Sequence, residues 1–156
     1  MNWRVSVWAA VLALAACAAP ERPGWVRADL DPVWLTVDGQ VRWPPDGGFQ
    51  GVAVPIVLPP GVLLDRFGKD DGRFLSPKGA TFRARALPTS CPSQVYSAFR
   101  VVTPLPVWIG RAAPWFNEPG GATQVQTDAT VKQLLEDGVL ARVPGCRRSA
   151  GNISDT

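Results

Sequence analysis

The chain contains no histidine. That absence removes the side chain whose charge changes nearest neutral pH. It excludes a Ser-His-Asp or Cys-His catalytic set and the commonest zinc ligand. Chemistry carried by this chain falls to carboxylates, arginines, amides, hydroxyls and thiols. Cysteine is scarce, at 3 residues, too few for a disulfide-dense mini-scaffold. Charge is sparse as well. With 19% charged residues, a net charge of +3 and 46% hydrophobic residues, the chain is too apolar to be intrinsically disordered. The cations are mostly arginines and are scattered, with no dense basic stripe and no recognition motif, so nucleic acid is not an expected partner. No acidic ligand cluster stands near the C-terminus, so no metal is expected. Long apolar runs are missing too: none reaches the about 20 residues of a membrane-spanning helix.

The 156 residues suit one domain with one core. A short basic start, Met1 to Arg4, precedes the small and apolar stretch Val5 to Ala16. This has the form of a signal peptide over residues 1–16. Leu14-Ala15-Ala16-Cys17 resembles the bacterial lipoprotein signal, in which the Cys is lipidated and becomes the mature N-terminus. A plain secretory signal cleaved within Ala16-Cys17-Ala18 is the alternative. Both readings export the protein, either to the cell envelope or outside it. Export leaves Cys91 and Cys146 as a pair in an oxidising compartment, where a disulfide is expected and two separate buried thiols are the plainer alternative.

Residues 17–31 read as a linker, 32–146 as the domain and 147–156 as a frayed tail. Short apolar runs punctuated by Pro and Gly predict strands at 33–37, 40–43, 52–58, 62–64, 73–75, 81–87, 95–102, 107–109 and 139–143. Asp38-Gly39 between two such runs predicts a hairpin. Thr130 and Gln133 have capping-box spacing. Val131, Leu134 and Leu135 follow on one face, with Gly138 as the stop, so a short helix is predicted there. The expected class is α+β: strand-dominated twisted antiparallel sheets with one or two short helices.

Several blocks occur in a telling order: Trp43-Pro44-Pro45 with Gly48-Phe49, then Leu64-Asp65-Arg66-Phe67-Gly68, then Gly72-Arg73-Phe74-Leu75-Ser76-Pro77 and Arg85-Ala86-Leu87-Pro88. Val101-Val102-Thr103-Pro104-Leu105-Pro106-Val107, Ala113-Pro114-Trp115-Phe116 and Pro119-Gly120-Gly121 with Gln124 follow. From about Trp43 to Val143 the chain resembles the TNT family, named after the tuberculosis necrotizing toxin. The resemblance implies a fold related to the split sheets of ADP-ribosylating toxins. It implies a secreted glycohydrolase, a toxin in some members, that takes NAD+ or NADP+ as substrate. Such an enzyme needs no cofactor and releases nicotinamide and ADP-ribose. An immunity protein is an implied partner, and the membrane is met only through the N-terminal lipid anchor.

Carried over position by position, the resemblance marks Arg66 and Gln124 as catalytic. It marks Arg66, Phe74, Arg85 and Gln124 as substrate-binding. These residue types suit the chemistry. Arginines hold a pyrophosphate through bidentate charged bonds. An aromatic face attracts a flat cationic pyridinium. Nicotinamide leaves as a neutral molecule, so no carboxylic acid is required to protonate it, unlike in ordinary glycosidases. Each residue also has a plainer reading. Arg66 would pair with Asp65 at the surface, Phe74 would be core, Arg85 would lie on a solvated strand face and Gln124 would sit in an exposed turn. One departure stands out. Some members carry a functional His in the stretch matching Ser93–Arg100, where this chain offers only Tyr96. That departure motivates the alternative of an inactive envelope lipoprotein with the same fold, serving as a binding module. Glu118 is the candidate carboxylate for a third reading, ADP-ribosyl transfer to a protein.

Overall fold

The computed structural model describes residues 22–91 and 95–143. The stretch at 1–16 read as a signal peptide, Cys17, Cys146 and residues 147–156 lie outside the described residues.

Strands β1 (Val54–Leu58), β2 (Leu63–Phe67), β3 (Phe74–Pro77), β4 (Tyr96–Val101), β5 (Leu105–Arg111), β6 (Thr123–Gln126) and β7 (Leu140–Arg142) join one helix, α1 (Val131–Glu136). The strands form a sheet in the order β1-β5-β6-β3-β2-β4-β7, and every pairing is antiparallel. The expected strand-dominated α+β architecture is therefore present. β3 changes partner halfway along its length. Phe74 and Leu75 face Gln126 and Val125 of β6, whereas Ser76 and Pro77 face Asp65 and Leu64 of β2. The sheet splits at this point into two halves that share only β3.

Alternation along the strands decides which side is core. Leu58, Leu64, Leu75, Phe99, Val101, Leu105, Val107, Val125 and Leu140 gather beneath Val131 and Leu134 of α1. The helix forms as its sequence predicts. The Thr130 side chain accepts from the Gln133 backbone N–H at 3.2 Å, and the Gln133 side chain accepts from the Thr130 N–H at 2.9 Å. Gly138, at φ 70°, ends it.

Three predicted elements differ. Residues 33–43 form no extended strand pair. Asp31 caps a 3-10 turn over Pro32–Trp34, accepting from the Val33 N–H at 2.9 Å. The predicted reversal at Asp38-Gly39 is present but short: Gly39 takes φ 75°, Leu35 bridges Val41, and the Thr36 and Arg42 N–H groups donate to the Gln40 and Trp34 carbonyls, each at 2.8 Å. Proline at the first turn position and an Asp cap outweigh the strand composition. The run at 81–87 holds a 3-10 turn at Arg83–Arg85 that ends with Ala86 at φ 49°. β6 was not anticipated, because Thr123-Gln124-Val125-Gln126 has a single apolar residue; that residue, Val125, is fully buried.

The linker expectation is also corrected over residues 22–31. Val26 and Leu30 are buried in a second cluster with Val41 and Phe116, beneath Trp34 and Trp115. This segment is a strap on the domain. Arg27 fastens it: Nη1 meets Glu118 Oε1 at 2.5 Å, Nη2 donates to the Phe116 carbonyl, and its backbone N–H donates to Pro88 O at 3.1 Å.

Candidate active site

A cleft of about 570 Å³ opens where the sheet splits, and its wall includes Arg66, Phe74, Arg85 and Gln124. All four residues singled out in the sequence therefore share one cavity. Topology brings them there. Arg66 is on β2 and Phe74 on β3, and Gln124 and Gln126 are on β6. Phe74 stands opposite Gln126 in the ladder, with Gln124 two positions along on the same face. Val125 between them points into the core. Phe74, at 37% exposure, is not the buried core residue of its plainer reading.

The two arginines are held differently. Arg66 donates from Nε to the Lys69 carbonyl at 2.7 Å and from Nη1 to the Phe74 carbonyl at 2.8 Å. Both acceptors are neutral, so these bonds orient the guanidinium without cancelling its charge. Burial lowers the pKa of Arg66, and the carboxylates of Asp71 and then Asp70 raise it in part. The group remains a cation in the neutral range. Asp65 is not its surface partner. Asp65 is fully buried and pairs with Arg85, Oδ1 to Nη2, at 2.5 Å. Asp65 Oδ2 accepts from the Tyr96 hydroxyl and from the Gly79 N–H, each at 2.9 Å.

Arg85 is 9% exposed and is not on a solvated face. It also donates from Nη2 to the Ala80 carbonyl at 2.8 Å and lies over the Phe67 ring at 4.8 Å. Its charge is matched by a direct carboxylate contact, whereas Arg66 feels the carboxylates of Asp71 and Asp70 only as nearby charges. Tyr96 thus enters the Asp65 network that fixes Arg85.

Gln124 donates from Nε2 to the Gly47 carbonyl at 2.8 Å. This bond ties β6 to the loop after Trp43-Pro44-Pro45 and leaves the amide oxygen of Gln124 as an acceptor. Gly47 and Gly48 adopt φ 66° and 77°, a backbone that side chains disfavour. Glu118, by contrast, is held by two arginines, Arg27 and Arg83, the latter at 3.0 Å. It is committed to the strap, which removes the carboxylate that an ADP-ribosyl transfer reading needs.

Sequence reasoning missed one side of the cleft. Trp25 from the strap lines it together with Trp43, Trp115 and Phe116. The signal was available in part, because Trp43 and Trp115-Phe116 belong to the quoted blocks. Trp25 lay in a stretch whose Pro and Arg content reads as linker.

The family model described as Tuberculosis necrotizing toxin matches residues 57–143. The chain belongs to this family. The matched span includes Arg66, Phe74, Arg85 and Gln124, and it leaves the strap and Trp43 outside. Among curated proteins, the conidial surface nicotinamide adenine dinucleotide glycohydrolase nadA of Aspergillus fumigatus is 36% identical over 119 residues, 68% of this chain and 51% of that one. The chain thus spans about half the length of that relative. Among solved structures, tuberculosis necrotizing toxin complexed with its immunity factor IFT superposes with a TM-score of 0.57 at 25% identity, covering 69% of this chain and 65% of that one.

Proposed function

We propose that this protein is an exported glycohydrolase that cleaves the nicotinamide–ribose bond of NAD+, and of NADP+, to nicotinamide and ADP-ribose. The observation that carries this reading is the cleft at the sheet split, which gathers Arg66, Phe74, Arg85 and Gln124. Family membership and the printed name of the fungal relative support the same substrate.

In this reading Arg66, whose guanidinium donates to the neutral Lys69 and Phe74 carbonyls, holds the pyrophosphate. Arg85, neutralised by Asp65, shapes the wall and offers Nη1 as a weaker donor. Phe74 presents its face to the nicotinamide ring. The bond between ribose C1′ and the pyridinium nitrogen breaks with its electron pair going to nitrogen, so nicotinamide leaves neutral. Water adds to the oxocarbenium-like C1′ and loses its proton to solvent. The Gln124 side-chain oxygen orients that water or the ribose hydroxyls. No step calls for the missing histidine.

The printed surface location of the fungal relative supports export. Lipidation at Cys17 would keep the domain at the envelope, and a Cys91–Cys146 disulfide would close its C-terminal segment onto it. The immunity factor bound to the related toxin supports an immunity protein as partner.

The test is incubation of the full chain, expressed with export, with NAD+, followed by chromatography of nicotinamide and ADP-ribose. Many equivalents of nicotinamide per protein are expected. Saturable NAD+ binding without release would overturn the glycohydrolase reading in favour of an envelope binding module.

A further inference from the structure

A second, small pocket of about 50 Å³ shares Arg66, Phe74, Arg85 and Gln124 with the cleft and is lined by no tryptophan. Its size suits atoms around a reacting carbon and a water, not a second base. The larger cleft has a different character on its aromatic side. Trp25 and Trp43 line it with ring centroids 6.2 Å apart and planes within 13° of parallel. They remain 47% and 58% exposed.

This pair is built rather than incidental. Trp43 meets the fully buried Phe116 edge-on at 5.7 Å and 89°. Phe116 in turn packs against Trp34 at 5.9 Å. Trp25 is held by the strap, through buried Val26 on its one side and the Arg27–Glu118 pair. Two large indole faces therefore stand packed together and half in water on the wall of the cleft. Aromatic platforms of this kind bind flat bases by stacking.

We propose that Trp25 and Trp43 form the stacking subsite for the adenine ring of the dinucleotide. The inference rests on the substrate class proposed above and assigns its second half. A dinucleotide has two flat rings separated by a pyrophosphate. The small pocket with Phe74 and Gln124 takes the reacting end, Arg66 takes the anion between, and the neutral purine extends the indole stack. Specificity for a dinucleotide over a mononucleotide thus comes from the strap's Trp25 and from Trp43, both outside the matched family span.

The test uses the full chain and AMP as probe, followed by calorimetry, with ribose 5-phosphate as the control lacking a base. AMP is expected to bind, and ribose 5-phosphate is not. Trp43→Ala and Trp25→Ala should each raise the AMP Kd about tenfold, and Trp43→Phe should retain most of the affinity. In turnover, Trp43→Ala should raise the KM for NAD+ about tenfold more than that for nicotinamide mononucleotide, which has no adenine. AMP binding that survives both alanine variants, or equal effects on the two substrates, overturns the subsite even where NAD+ hydrolysis stands. AMP binding lost in Trp43→Ala, in a protein that releases no nicotinamide, supports the subsite and overturns the hydrolysis reading instead.

Discussion

Arg66 reaches the cleft across the backbone of Gly72. A Cβ built on Gly72 would lie 2.6 Å from Arg66 Nη1 and closer still to Nη2 and Cζ. The obstructed group is the tip of a flexible side chain, and Gly72 itself does not need a left-handed backbone. Gly72→Ala should therefore change stability by no more than about 1 kcal/mol while displacing the guanidinium from the Lys69 and Phe74 carbonyls. The expected outcome is a loss of about tenfold or more in kcat/KM that vanishes when Gly72→Ala is introduced into Arg66→Ala, measured as a double-mutant cycle. Arg85 is the opposite case, since its interest is structural as much as chemical. Asp65→Ala leaves a buried guanidinium without its carboxylate and should cost about 3–5 kcal/mol in urea denaturation. That contrast was invisible in the sequence. Asp65-Arg66 are neighbours along β2, but alternate residues of a strand face opposite sides, so the carboxylate belongs to the distant Arg85 instead.

At the scale of elements, the strap and the loop it clasps stand out. Phe116 and Asn117 adopt φ 56° and 60°, a backbone that costs about 1–2 kcal/mol for a residue other than Gly. The surroundings hold it there: Phe116 is fully buried and Trp34 Nε1 donates to Asn117 Oδ1 at 3.1 Å. Glu118→Ala removes the carboxylate between Arg27 and Arg83. It should cost about 3 kcal/mol and expose residues 22–31 to limited proteolysis earlier than the rest. Uniform resistance along the chain would show that the strap is held by its apolar contacts alone. The helix α1 was legible because its cap, its apolar face and its stop agree with one another. β6 and the strap were not, because each is fixed by what it packs against. Val125 reaches the core only once β3 and β5 flank it, and Val26 and Leu30 are buried in a cluster with Val41, Phe116, Trp34 and Trp115, from distant parts of the chain.

Across the whole molecule, the split sheet makes the site. β3 serves two half-sheets, and the cleft lies where its allegiance changes, so Arg66, Phe74 and Gln124 converge from three strands while loops and the Arg83–Arg85 turn complete the wall. The order of short blocks along the sequence carried this much through resemblance to the family; the aromatic side of the cleft required the folded strap. The absence of histidine has a consequence at the same scale. Burial lowers the Arg66 pKa, so its folded form holds its proton less tightly than the unfolded chain does. The resulting gain of stability with pH arises only in the strongly alkaline range, where an arginine first titrates. The chain has no imidazole to titrate between pH 6 and 8. Turnover of NAD+ should stay flat across that window within about twofold, and a limb with a midpoint there would point to a titrating group that the account omits.

The most direct test of the central claim is nicotinamide release by Gln124→Ala beside the parent protein, both shown to be folded by circular dichroism. The account predicts sustained turnover in the parent and a fall in kcat of about a hundredfold in Gln124→Ala, the scale of a lost transition-state hydrogen bond. A folded Gln124→Ala variant that releases nicotinamide at the parent rate would contradict the account, because the cleft at the sheet split would then not be where the glycosyl bond breaks.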